Sequence, residues 1–98
     1  MKDKKYNIAI VGATGLVGQT MLSIIEQCDF PVDKVFALAS SRSAGEKILF
    51  KGNDLVVEEL ENFDFNKTDI GLFSPGASVS AVHAPRAVDA GCIVIDNT

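Results

Sequence analysis

Tyr6-Asn7-Ile8-Ala9-Ile10-Val11-Gly12-Ala13-Thr14-Gly15-Leu16-Val17-Gly18 is the stretch on which the fold turns. Residues 6–11 are a short apolar run stopped by a glycine, the pattern of a buried strand. Beyond the glycines, Val17, Met21, Ile24 and Cys28 recur at three- and four-residue spacing. That predicts a helix with one apolar face, ending near Asp29-Phe30-Pro31, where the proline stops it. Val35–Ala39 is a second apolar run and a second strand. Strand, helix and strand in about 35 residues make a βαβ unit with a right-handed crossover.

Each glycine between strand and helix has its own physical task. Gly12 permits the tight turn out of the strand, Gly15 leaves room for a pyrophosphate against the backbone, and Gly18 lets the helix approach the sheet. The helix's first-turn amides carry about half a unit of positive charge toward a phosphate. Thr14 can add a hydroxyl donor. The spacing is GxxGxxG rather than GxGxxG, so its strength comes from its place at a strand-to-helix junction. A glycine-rich turn that merely closes the connection is the competing reading.

Working outward, Ile48-Leu49-Phe50 and Leu55-Val56-Val57 read as two short strands around Lys51-Gly52-Asn53-Asp54, where Gly52 and Asn53 supply turn chemistry. No second helix stands where a regular doubly wound fold places one. Ile70–Phe73 is another buried strand, followed by the loop Ser74-Pro75-Gly76. Residues 77–90 are alanine-rich and helical in pattern, but Pro85 predicts two short helices, the second starting near that proline. Gly91 ends the segment, Cys92–Ile95 is the last strand, and Asp96-Asn97-Thr98 is a strand exit. These elements predict an α/β fold in one domain, 1–98: a Rossmann-like, mostly parallel sheet with helices on both faces and an irregular hairpin in the middle.

Composition narrows the function classes. Hydrophobic residues make up 47% of the 98 residues and charged residues 22%, ordinary for a globular domain. A chain of this size buries roughly two thirds of its unfolded surface, enough for a core without staples. Nine basic against thirteen acidic residues give a net charge of −4, which argues against a nucleic-acid surface. No apolar run approaches the roughly 20 residues of a membrane span, and the start, Met1-Lys2-Asp3-Lys4-Lys5, is too short for a signal peptide. A cytosolic location is the expectation. Cys28 and Cys92 have neither CxxC nor metal-ligand spacing and read as reduced, inert core thiols; no metal site is apparent.

The loop after the second strand is Ala39-Ser40-Ser41-Arg42-Ser43-Ala44-Gly45, without a carboxylate until Glu46. An NAD-preferring site puts Asp or Glu there to hold the ribose 2′-hydroxyl. Hydroxyls from Ser40, Ser41 and Ser43 with the planar guanidinium of Arg42 suit a 2′-phosphate instead, so NADP is the expected cofactor. A polar surface loop with an incidental arginine is the alternative. Residues 73–80 should lie beside the glycine loop across the crevice at the switch point. There Gly76 allows close backbone approach, and Ser74 and Ser78 can bond a ribose or phosphate, although Ser78 or Ser80 could equally be a helix cap. His83, the only histidine, lacks a visible partner and is expected to be a solvated side chain on the helix. Glu58, Glu59 and Glu61 are expected to form a solvated acidic edge.

Gly12–Gly18, Ala39–Gly45, Phe73–Ser80 and Val94-Ile95-Asp96-Asn97-Thr98 together resemble, in order and spacing, the aspartate-semialdehyde dehydrogenase family. The resemblance covers nearly the whole chain, and the Ser-Arg-Ser block and Asp-Asn-Thr ending carry it more specifically than the glycines. Pro75 and Ala77 stand where small residues such as alanine and glycine are expected, and Pro75 slightly stiffens that loop. The resemblance implies cofactor positions at Thr14, Gly15, Leu16 and Val17 and at Arg42 and Ser43, with Ser40, Ser74, Gly76, Ser78 and Asn97 as further contacts. It implies an oxidoreductase in which a catalytic cysteine attacks the aldehyde, hydride passes to NADP, and phosphate cleaves the thioester to give aspartyl phosphate. The reverse direction would serve lysine, threonine and methionine synthesis.

The resemblance assigns that cysteine, its histidine base and the substrate arginines to positions after Thr98, so no catalytic residue is assigned within the chain, which alone should be inactive. It implies that the full-length enzyme, acting on aspartate semialdehyde and phosphate, is a homodimer or larger. Two alternatives stay open: an N-acetyl-glutamyl-phosphate reductase-like enzyme, and a non-catalytic NADP-sensing module.

Overall fold

β1 (Tyr6–Val11) lies in the middle of a five-stranded sheet, as the apolar run at residues 8–11 demands of a strand covered on both faces. The computed structural model describes residues 4–28 and 30–97; Thr98 and Asp29, which the sequence reading placed in the last loop and at the first helix's end, lie outside them. After β1 come α1 (Leu16–Gln27), β2 (Val32–Ala39), β3 (Lys47–Phe50), β4 (Asn53–Val56) and β5 (Glu58–Glu59). Two 3-10 turns, Leu60–Asn62 and Phe65–Lys67, lead to β6 (Ile70–Phe73), α2 (Ala77–Asp89) and β7 (Ile93–Asp96). The sheet order is β5-β2-β1-β6-β7 with every pairing parallel, while β3 and β4 form a separate antiparallel hairpin.

Alternation along β1 divides the core between the two faces. Ile8 and Ile10 pack with Leu22 and Ile25 of α1 and with Ala37, Ala39 and Val57. Ala9 and Val11 face the other way, into a cluster with Leu38, Phe63, Phe65, Phe73, Cys92 and Ala87 of α2. One helix therefore covers each face, as expected, and the hairpin stands in place of a crossover helix between β2 and the next parallel strand. β5 is too short to be read as a strand from its own residues; parallel pairing with Leu38 and Ala39 makes it one.

Three local expectations are corrected. The inward face of α1 is Gly18, Leu22 and Ile25, whereas Val17 and Ile24 are 46% and 58% exposed and Cys28 is exposed at the C-cap. The helix is turned by about one position because Gly18 must face β1. A Cβ there would stand 2.1 Å from the Gly12 carbonyl oxygen and 2.8 Å from the Ala13 Cα. Second, α2 is one helix with Pro85 inside it. Proline removes a bond to the carbonyl four residues back, but Pro85 and Ala81 are both exposed, so water can reach that carbonyl. The buried face, Ser80, His83 and Ala87, spans the proline and holds the two halves together. Third, neither Ser78 nor Ser80 caps α2. Its N-cap is Gly76, at a φ of +106° that favours glycine, while Ser80 is buried and donates to Asp96 Oδ1 at 3.4 Å.

Replacing Gly18 by alanine sets helix propensity, worth about 1 kcal/mol in favour, against a clash with backbone atoms that cannot rotate away. Overpacking of this kind costs roughly 1–3 kcal/mol or more, so the clash should win. Gly18→Ala should lower the melting temperature by on the order of 5–10 °C. Gly15→Ala should cost less, since a Cβ at Gly15 meets only Gly12 O at an ordinary 3.5 Å. Thermal melts of the two variants check this ordering, and equal shifts would show that the close approach does not govern the fold.

Candidate functional site

The carboxyl ends of β1, β2, β5 and β6 open onto one cavity of about 490 Å3. Gly12, Thr14 and Gly15 form its centre, and Ala39, Ser40 and Ser41 form the wall at the end of β2. Ser74, Pro75 and Val79 close it on the β6 side; Glu59, Leu60, Glu61 and His83 complete the rim. In a parallel sheet with helices on both faces, this crevice beside the central strand is where ligand groups converge.

The centre is held by backbone bonds. Gly12 N and Ala13 N both donate to Leu38 O, Gly15 N donates to Gly12 O at 3.1 Å, and Gln19 Nε2 donates to Thr14 O at 2.9 Å. Gly15 is the N-cap of α1 in ordinary extended conformation (φ −80°), no side chain caps the helix, and no acidic residue lies in its first turn. Amides of Leu16, Val17 and Gly18 at this uncapped end suit an anion. The three glycines thus differ in kind. Gly12 is needed for its φ of +86° and its approach to Pro75, and Gly18 for helix contact. Only at Gly15 does the fold leave room for a side chain, so the space there is free for a ligand.

Of the remaining sequence-assigned positions, Ser40, Ser41 and Ser74 line the cavity. Ser43 N and Ala44 N both donate to Ser40 O, folding residues 40–44 into a tight turn that carries Arg42 outward. Arg42 is exposed and, among the described residues, makes no hydrogen bond or ion pair. Ser74 donates both its backbone N–H, at 2.9 Å, and its hydroxyl, at 3.3 Å, to Val11 O, joining the β6 loop to β1. Leu16, Val17, Gly18, Arg42, Ser43, Gly76, Ser78 and Asn97 are not on the cavity wall. Gly76 and Ser78 are exposed at the start of α2, and Asn97 donates its backbone N–H to Phe73 O beyond β7. Cys92 is buried against Thr68 and Phe65, Cys28 is exposed, and neither thiol lines the cavity.

Sequence reasoning misplaced His83 and the acidic residues. His83 is 7% exposed and lines the cavity, and Glu59 and Glu61 are on its rim rather than on a purely solvated edge. It also missed Arg86, whose Nη1 reaches His83 Nδ1 at 2.6 Å and donates to Leu60 O, while Nη2 donates to Phe63 O at 2.6 Å. The guanidinium also lies over the Phe65 ring, 5.3 Å from its centroid. The i, i+3 spacing of His83 and Arg86 on one helix was the available signal. Burial holds the His83 pKa below its ordinary 6.5, with Arg86 adding to the effect and Glu61, 3.8 Å from Nε2, opposing it.

That depression has a sign. The unfolded chain takes up the proton first, so stability is lost as pH falls through about 6.5 and continues to fall until the folded imidazole also titrates. Melts from about pH 7.5 to about pH 5 should show the wild type losing stability more steeply than His83→Gln. Parallel curves would place a protonated imidazole in the fold.

Residues 7–98 match the family described as semialdehyde dehydrogenase, NAD binding domain. The chain is 52% identical over 96 residues to an aspartate-semialdehyde dehydrogenase of Legionella pneumophila and 51% identical over 92 residues to that of Bacillus subtilis. These alignments cover 98% and 94% of this chain, but only 28% and 27% of those relatives. The crystal structure of aspartate semialdehyde dehydrogenase II complexed with ASA from Vibrio cholerae superposes with a TM-score of 0.94 at 48% identity, over 97% of this chain and 31% of that one. The Candida albicans enzyme, solved with NADP, gives a TM-score of 0.81 at 27% identity, over 97% and 30%. With its fold and glycine loop in agreement, the chain belongs to the semialdehyde dehydrogenase NAD-binding domain family.

Proposed function

We propose that the chain is the NADP-binding part of an oxidoreductase that reversibly reduces aspartyl phosphate to aspartate semialdehyde. The observation that carries this reading is the cavity at the uncapped start of α1, where Gly15 alone among the three loop glycines is spared by the fold. The residues present fit a dinucleotide. First-turn amides of α1 would meet the pyrophosphate, Ser40 and Ser41 the ribose next to β2, and Arg42 a 2′-phosphate from the outer side of its turn. When bound, the nicotinamide would accept or deliver the hydride. This chain's residues bind and orient, and the thiol nucleophile belongs to the longer enzyme, since Cys28 and Cys92 both lie off the cavity.

A second reading concerns the cofactor alone. Glu59 lies beside Ala39 in the β2–β5 ladder and lines the cavity. Its carboxylate could accept from a ribose 2′-hydroxyl, which favours NAD. Arg42 and Glu59 therefore oppose each other in cofactor choice.

Two titrations test the proposal. Aspartate is a good N-cap and a favourable charge at a helix start, so Gly15→Asp should leave the melting temperature unchanged or raised. The same carboxylate would repel a pyrophosphate, weakening NADP binding on the order of tenfold or more. Unchanged affinity in the folded variant would reduce the glycine loop to a turn. Arg42→Ala should weaken NADP about tenfold, with a smaller loss for NAD and a deficit that narrows as salt rises. Calorimetry with both cofactors decides it: equal losses would give the specificity to Glu59 rather than to Arg42.

A further inference from the structure

His83 has a tautomer that its neighbours impose. A guanidinium has donors only, so Arg86 Nη1 at 2.6 Å requires a lone pair on Nδ1 and places the imidazole proton on Nε2. Arg86 is itself fixed by the Leu60 and Phe63 carbonyls. Among the described residues that Nε2–H has no hydrogen-bond partner, Glu61 Oε1 at 3.8 Å being too distant for one. The ring lines the cavity, as do Leu60 and Val79. Among the described residues no buried side-chain nitrogen lacks a partner, so this Nε2–H is open to the cavity, where a ligand acceptor can take the place of water.

The position of His83 says which part of a ligand it meets. Glu61 belongs to the turn that follows β5, and β5 pairs with the end of β2, where Ser40 and Ser41 stand. His83 is therefore at the β2 end of the cavity, the end that receives the adenosine ribose. We propose that His83 contacts the adenosine half of the dinucleotide, donating Nε2–H to an acceptor on the base or ribose in the cavity that Leu60 and Val79 also line. This rests on the dinucleotide reading above and adds to it a residue on α2 that the glycine-loop geometry does not supply.

His83 is the only histidine, so a long-range 1H–15N spectrum of the chain reports this ring alone. The free protein should show the Nε2–H tautomer, and adenosine 2′,5′-bisphosphate should move the Nε2 resonance. Calorimetry should find His83→Leu about 3- to 10-fold weaker for that nucleotide and for NADP, and His83→Gln, which keeps an N–H donor, within about twofold of wild type. Failure of the wild type to bind either ligand overturns the dinucleotide reading itself. Binding with an unmoved imidazole spectrum, an Nδ1–H tautomer in the free protein, or full affinity in His83→Leu overturns the role of His83 and leaves that reading standing. Should His83→Leu fail to fold, the wild-type spectrum decides alone.

Discussion

The approach of Gly18 to the Gly12 carbonyl oxygen is the constraint on which the rest of the structure depends. No side chain of any size fits between them. Because α1 begins in contact with the turn out of β1, its first-turn amides lie at the carboxyl edge of the sheet rather than above its face. The same contact sets the phase of α1, which sends Leu22 and Ile25 into the core and leaves Val17 and Ile24 outside. On its other side Gly12 meets the loop after β6, where a Cβ would stand 3.0 Å from Pro75, and both the amide and the hydroxyl of Ser74 donate to Val11 O. One turn thus joins the two loops that bound the cavity.

The hairpin that replaces a crossover helix has a consequence at the far end of that cavity. Gly45 N donates to Val57 O and Val57 N donates to Glu46 O, each at 2.8 Å, so the chain leaving the hairpin returns beside the loop that left β2. β5 then pairs parallel with β2 through only two residues. That short pairing brings Glu59, and the turn carrying Leu60 and Glu61, to a place a longer connection would have left open. Arg86 locks this turn to α2 through two carbonyls and the Phe65 ring. The β2 end of the cavity is consequently built by three segments distant in sequence, joined by one side chain.

Some of this was legible in the residues alone. A short, mostly apolar run ending in glycine and a second run after a helical period specify a parallel βαβ unit with a glycine turn between strand and helix. Their information is local: strand burial, backbone permissiveness at glycine and charge at a helix end all act within a few residues. The turn at Gly12 and the close helix packing at Gly18 are borne out by a φ of +86° and by the absence of room for any Cβ at Gly18. The Pro85 break was a local rule correctly stated and overridden, because the lost hydrogen bond falls on the solvent side while Ser80, His83 and Ala87 anchor the other.

Sequence by itself determined the order of elements, the place of the glycine loop and the absence of a second crossover helix. Tertiary structure decided which face of α1 turns inward, that Glu58–Glu59 is a strand, and that His83, Glu59 and Glu61 border the cavity. Burial and protonation of a side chain depend on what stands across from it. For His83 that is the turn at Glu61, more than 20 positions earlier in the chain, together with an arginine whose partners are the carbonyls of Leu60 and Phe63. Such neighbours leave no periodic trace in the sequence and exist only once the chain has closed upon itself.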